Sequence, residues 1–450
     1  MNAKYKQFIK QSWHATAPML VILFFDFAMS MTDVLVARLL GKETQAAVGL
    51  ANQSYYMVAF VIYALTVGTI ATISRVHGSD EREKKLPRAI LTAITIASGC
   101  ALVITLLSVL ISPFIIEHFG VADEVRRKAV NLVHIYCCGI FFQLMVQHFN
   151  GILRACQLVH TSMAAMIAAG IINITLNIVF VFYTPIGEAG IALSTAVAWL
   201  FAFFITGWQM LKLMKWRFIK LSRDFSREIA SKIARISWPS AIVSCNWQIS
   251  GILIFAIVGM LPENSTETMA ALTAGLRIEA VIFMPAFAFN MANAVLVGHL
   301  LGENKPDDAF TMGLLTTIVG VFCITVITLA VIMGATPLAN LLAAKGTNGE
   351  VDGLVLQEIT KYLRIVMISE PFVAAHLMFG GALMGAGDTR ALMYYHLISL
   401  WVFRIPIAYI FGIVLGYGAV GIWWAMNFTF FCQAILAGRR YLSRRWLSNY

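Results

Sequence analysis

Apolar residues recur in long runs along this chain, each close to the ~20 residues that span a bilayer as a helix. Twelve runs can be traced, roughly 12–40, 50–76, 88–113, 129–153, 160–183, 189–213, 237–261, 272–300, 309–335, 359–384, 391–413 and 418–438. No segment shows the short alternation of an outer-membrane barrel strand. The pattern predicts an all-α polytopic membrane protein with twelve transmembrane helices.

Composition agrees with the pattern. Residues of the AVILMFWYC set make up 59% of the chain and charged residues 12%, about half the quota of a soluble domain. Mean hydropathy is +0.78. Charge placement supplies an orientation. With the N-terminus inside, 23 of the 33 basic residues fall in cytoplasmic segments. Lys4, Lys6 and Lys10 lead the chain, followed by the Arg75–Arg88 group and Arg154. The central linker adds Lys212, Lys215, Arg217, Lys220, Arg223, Arg227, Lys232 and Arg235, and Arg439, Arg440, Arg444 and Arg445 close the set. The positive-inside rule then puts both termini and the linker in the cytoplasm of a multi-pass inner-membrane protein. This bias accounts for the formal charge of +10, with no nucleic acid partner needed.

The first apolar run is too long for a cleaved signal peptide and reads as an uncleaved first helix. Seven cysteines lie mostly in apolar runs with no CxxC spacing, so neither a disulfide framework nor a metal site is expected. There is no phosphate loop and no GxSxG or HExxH motif, which argues against a pump or an enzyme and implies no cofactor. His134, His148, His376 and His396 lie in or near spans, where an interhelical hydrogen bond is their expected role.

The chain divides at its basic linker into an N-lobe of residues 1–211, a linker of 212–236 and a C-lobe of 237–450, with six helices in each lobe. The halves resemble each other. Phe149–Arg154 matches Phe379–Met384 at an offset of 230, and Gly190-Ile191-Ala192 matches Gly421-Ile422-Trp423 at 231. Pro18 and Pro239 open the two halves, and Ala47–Leu50 matches Thr273–Leu276. An even number of helices per half gives the parallel type of repeat, with a pseudo-two-fold axis along the membrane normal, as in alternating-access transporters.

Within the first span lie two carboxylates, Asp26 and Asp33. Seven residues are almost two helical turns, so both point to nearly the same face. Charged residues at that depth cost about 2.5–3.5 kcal/mol on insertion scales and are usually functional. The bland alternative is a hydrogen bond to a neighbouring helix.

At this point motifs carry a family resemblance. Pro18, the Val34–Arg38 stretch after Asp33, Leu40-Gly41 and Ala46–Leu50 resemble the first helix and loop of the multidrug and toxic compound extrusion (MATE) family. Arg277-Ile278-Glu279, Met284-Pro285, Val297-Gly298-His299 and Leu301–Asn304 resemble its eighth helix and the loop that follows. Gly385–Arg390 resembles its loop between helices ten and eleven. The resemblance implies a V-shaped pair of six-helix lobes and a monomeric antiporter that exports cationic amphipathic drugs in exchange for H⁺ or Na⁺. It places the family's N-lobe cation residues on Asp33, Asn173, Asn177 and Thr195, the set that would also hold Na⁺. Asn177 stands where the family typically has Asp, and Asp26 where many members have Gln. Burial of Asp33 in a low-dielectric bundle favours its protonated form, so H⁺ is the favoured coupling ion.

In the C-lobe the candidates for a cavity role are Glu279, Glu370 and Arg277, with Arg277 the expected partner of Glu279. Arg404 reads as a partner for a carboxylate or for carbonyls freed by Pro406. Another branch of the family has a Glu on helix seven, where this chain reads Ser244-Cys245-Asn246-Trp247. The alternatives are a flippase of the wider superfamily that moves lipid-linked sugars, and a membrane-embedded enzyme or receptor.

Overall fold

A computed structural model describes residues 3–117, 123–214, 225–342 and 353–447. The linker residues Lys215, Arg217, Lys220 and Arg223 lie outside them. The described residues are overwhelmingly helical, and each of the twelve apolar runs coincides with a helix. These are α1 Ala3–Leu39, α2 Lys42–Gly78, α3 Arg82–Glu117, α4 Asp123–Ala155, α5 Val159–Phe182 and α6 Ala189–Leu213, then α7 Arg227–Gly259, α8 Ser265–Gly302 and α9 Pro306–Met333. The last three are α10 Gly353–Gly385, α11 Thr389–Val414 and α12 Gly418–Leu442. Eleven of them are long and apolar enough to cross a bilayer among the described residues. The other is α2, for which no side chain between 52 and 61 is described.

Several helices run past the apolar stretch. Both α1 and α7 begin about ten residues earlier than hydropathy alone suggests, because their basic first turns are compatible with helix. Pro18 and Pro239 therefore sit inside helices rather than at their starts. Two spans are broken. A 3₁₀ turn, Met367–Ser369, interrupts α10 just before Glu370 and Pro371. In α11, π-helical turns at Ser399–Arg404 and Ile410–Val414 flank Pro406. Proline removes an amide donor, and wider turns of this kind gather at functional places.

The chain packs into two compact units. An N-unit comprises Ala17–Ala241 with Gly302–Asn304, and a C-unit comprises Met1–Thr16, Ile242–Leu301 and Lys305–Tyr450. In the N-unit α4 packs on α2, α3 and α6, and α5 packs on α6. In the C-unit the second half of α10 packs on α9 and α12. Large apolar side chains on the outer face of α3, among them Leu102, Leu106 and Leu110, are exposed. That is the surface expected against lipid rather than water.

Internal repetition is visible in the packing. A Cβ on Gly190 would lie 2.7 Å from Phe180, and one on Gly421 would lie 2.8 Å from the backbone of Phe411. Both members of this contact recur at an offset of 231. Gly151 of α4 closes on Thr66 of α2, and its counterpart Gly381 of α10 closes on the Asn290 carbonyl of α8. Small residues let membrane helices approach closely. The turns after α4 and α10 also match. Leu158 N–H donates to the Leu153 carbonyl and Asp388 N–H to that of Leu383, each at 2.8 Å. A left-handed residue closes each turn, Gln157 at φ 61° and Gly387 at φ 79°.

Candidate functional site

Asp33 is the focus of a polar cluster in the N-unit. Its carboxylate is only 3% exposed and sits among α4, α5 and α6. Asn177 of α5 donates its amide to Oδ1 at 2.6 Å. Thr195 of α6 donates to Oδ2 at 3.0 Å, and the Tyr136 hydroxyl of α4 donates to the same oxygen at 3.3 Å. Asn173 donates to the Thr195 hydroxyl at 2.9 Å. Four helices therefore converge on one acid through neutral donors.

Local sequence explains the assembly. Gly170, Asn173 and Asn177 lie at i, i+3 and i+7, one face of α5. A Cβ on Gly170 would lie 2.4 Å from the Phe25 ring, so its absence lets α5 approach α1 and brings the two amides to Asp33. Thr195 has a second acceptor, the Ile191 carbonyl at 3.2 Å. Its single proton can serve only one acceptor at a time. An ionised Asp33 draws that proton, whereas a protonated Asp33 can donate to the hydroxyl, which then turns to Ile191. The Oδ1 atoms of Asn173 and Asn177 are buried and have no partner among the described residues. They are the oxygens a bound cation could recruit once the amides rotated.

Asp26 stays outside this cluster. It is half-buried, with no hydrogen bond or ion pair among the described residues. Two turns separate it from Asp33, about 10 Å along the helix axis. The shared helical face is present, but a shared hydrogen-bond network is not.

The C-unit brings together Glu279 and Glu370, both buried. Glu279 accepts the Tyr362 hydroxyl of α10, and Arg404 lies within electrostatic range of both. Glu370 is close enough to Glu279 for the two charges to interact, and its Oε1 has no partner among the described residues. Arg277, the partner expected for Glu279, is exposed while Glu279 is buried. Two residues along a helix are about 200° apart, so the pairing is geometrically excluded. Arg404 donates to Ser250 at 2.9 Å and stacks over Phe430, 4.4 Å from the ring centroid. It therefore serves neither a hydrogen-bonded carboxylate nor the carbonyls near Pro406. His376 and His396 join α10 to α11 through their Nε2 atoms, 3.0 Å apart. Asn246, in the acid-free stretch of α7, donates to the His396 carbonyl at 3.1 Å.

The sequence profile of the MatE family matches residues 18–179 and matches again at 239–410, once in each half. This chain belongs to the MatE family. A probable multidrug resistance protein NorM of Bradyrhizobium diazoefficiens is 28% identical over 455 residues, covering 95% of this chain and 92% of that protein. A crystal structure of a MATE protein in its bent conformation superposes with a TM-score of 0.87 at 20% identity over the whole of both chains. A MOP superfamily transporter from Pyrococcus furiosus, described by the reversed polarity of its binding pocket, gives 0.87 at 21% identity over 99% of this chain and 98% of its own. The twelve-helix MatE fold is a transporter fold, and this member is a multi-pass membrane transporter rather than an enzyme.

Within this MatE chain, Tyr136 is the member of the Asp33 cluster that sequence reading overlooked. A tyrosine in an apolar span looks like packing. The available signal was that a buried phenol requires a hydrogen-bond partner, and Asp33 is that partner.

Proposed function

We propose that this transporter is a secondary active multidrug antiporter that exports cationic amphipathic compounds in exchange for H⁺ by alternating access. The supporting observation is the environment of Asp33: three neutral donors reach the buried carboxylate, and among the described residues no cationic side chain hydrogen-bonds or pairs with it. Such an acid has two accessible states. The ionised state is desolvated but triply hydrogen-bonded, and the protonated state needs no counter-charge. A proton and a cationic drug then compete for one negative charge, which is the requirement for exchange.

Sodium is the weaker reading. Hard cations prefer several oxygens including carboxylates, and Asn177 contributes an amide. In the cluster both Asn173 and Asn177 present nitrogen inwards. Multidrug specificity is carried over from the family and from the NorM relative. It suits a chain with 21 Met and 30 Phe residues, since such side chains repack around varied ligands. The sugar-lipid flippase reading is disfavoured by the buried acids Asp33, Glu279 and Glu370. Cytoplasmic termini in an inner membrane, lobes of 1–211 and 237–450 joined by the 212–236 linker, and a working monomer complete the proposal. Asp33→Asn tests it: the amide keeps the shape of the side chain but cannot exchange a proton. Cells expressing this variant at wild-type level should lose drug resistance, and normal resistance would overturn the assignment.

A further inference from the structure

We propose that the C-unit carries a binding site for a compact monovalent anion at Arg404, separate from the Asp33 cluster. The guanidinium is 7% exposed and uses only one of its nitrogens, Nη1, to donate to Ser250. Its Nε and Nη2 are buried and have no partner among the described residues. An unpaired buried donor is costly, and two on one charged group more so.

These donors border a small cavity with space for about one water-sized species. Its lining is Asn246, Trp247, Ser250, His396, Leu400, Arg404, Thr429 and Gln433. No acid is among them. Because the Ser250 oxygen accepts from Arg404, its own hydroxyl proton is free to turn into the cavity. Thr429 is already committed, donating to the Ala425 carbonyl. Three donors, two of them on the cationic guanidinium, thus meet at a space lined without a counter-charge. Glu279 is within electrostatic range of Arg404 but is taken up by the Tyr362 hydroxyl, so it leaves the two free N–H groups unoccupied.

The backbone points to the same place. Arg404 ends the π-helical turn Ser399–Arg404 and His396 lies just before it. Irregular helix at membrane depth is tolerated where it lines a polar cavity. A halide or the head of a small carboxylate has the charge and the acceptor capacity that the Arg404 and Ser250 donors lack, and Gln433, whose Oε1 also has no partner among the described residues, can rotate its amide to present a donor instead.

The test uses purified full-length protein in detergent at fixed sodium concentration and ionic strength. Thermal melting is followed as sodium gluconate, too bulky for the cavity, is replaced stepwise by sodium chloride or by sodium acetate. A ligand of the folded state raises Tm in a saturable way. Chloride alone raising Tm identifies an inorganic anion, and acetate raising it identifies a carboxylate. Arg404→Gln should abolish the rise, and Ser250→Ala should raise the half-saturating concentration severalfold. If Arg404→Gln does not fold, the wild-type titration still decides. No anion-specific rise in the wild type means that the cavity holds only water, and the proposal fails. An undiminished rise in Arg404→Gln overturns it equally.

Discussion

Thr195→Val separates proton handling at Asp33 from packing, because valine keeps the shape of threonine and removes its hydroxyl. In the structure that hydroxyl lies 3.0 Å from Asp33 Oδ2 and accepts the Asn173 amide at 2.9 Å. A hydrogen bond to a charged group contributes about 1.5–3 kcal/mol. Its loss penalises the ionised form of Asp33 more than the neutral form, which loses only a neutral hydrogen bond of about 0.5–1.5 kcal/mol to the same hydroxyl. At 1.36 kcal/mol per pH unit, the difference should raise the midpoint of proton release by about 1 unit. The carboxylate then keeps its proton at cytoplasmic pH and reloads with drug slowly. Proteoliposomes loaded at a series of internal pH values, with ethidium movement followed by fluorescence, would show the pH profile displaced upward. Tyr136→Phe should displace it less, since its bond is longer at 3.3 Å, and Thr195→Ser should restore the wild-type profile. A profile unmoved by Thr195→Val would refute the hydrogen-bonding account of Asp33.

Other expectations follow from the same geometry. Asp26→Asn removes a charge about 10 Å from Asp33, worth about 1.7 kcal/mol at an effective dielectric of about 20; the pH profile should move down by about one unit, and a profile that rises or stays would exclude this coupling. Gly381→Ala and Gly421→Ala drive a Cβ to within 2.2 and 2.8 Å of neighbouring backbone, so each should cost about 1–3 kcal/mol and lower Tm in detergent, whereas Gly49→Ala, which meets nothing within 4 Å, should not. Tyr362→Phe leaves the buried Glu279 without its hydrogen bond and should cost about 1–3 kcal/mol, measurable by the same melting curves.

Much of this fold was legible because lipid imposes a simple code. A run of about 20 apolar residues has few structural options in a bilayer, and all twelve runs became helices. The N-unit cluster was legible for the same reason: Asp33, Asn173, Asn177 and Thr195 are polar groups that a lipid-embedded helix carries only at a cost, and family resemblance grouped them. Tyr136 was not, because its ring matches the apolar pattern and only its hydroxyl is informative. The Arg277–Glu279 pairing failed on helical angle: residues two apart diverge, whereas Tyr362, 83 positions away in sequence, reaches Glu279 from another helix. Asp26 illustrates the reverse limit, since periodicity fixes the face of a helix but not which neighbours meet it. The π-helical turns of α11 have no signature beyond Pro406, and the cavity at Arg404 depends on how three helices close around it. Such contacts are set by tertiary packing, and no local pattern encodes them.

The most direct test of the central claim is the proton stoichiometry of drug movement. Proteoliposomes containing the purified transporter and an internal pH-sensitive dye would be given a cationic drug such as ethidium in sodium-free buffer. Drug movement should be accompanied by proton movement in the opposite direction, should be driven by an imposed pH gradient, and should stop with an uncoupler or with Asp33→Asn. Drug movement that requires a sodium gradient and leaves the internal pH unchanged would contradict proton exchange at Asp33.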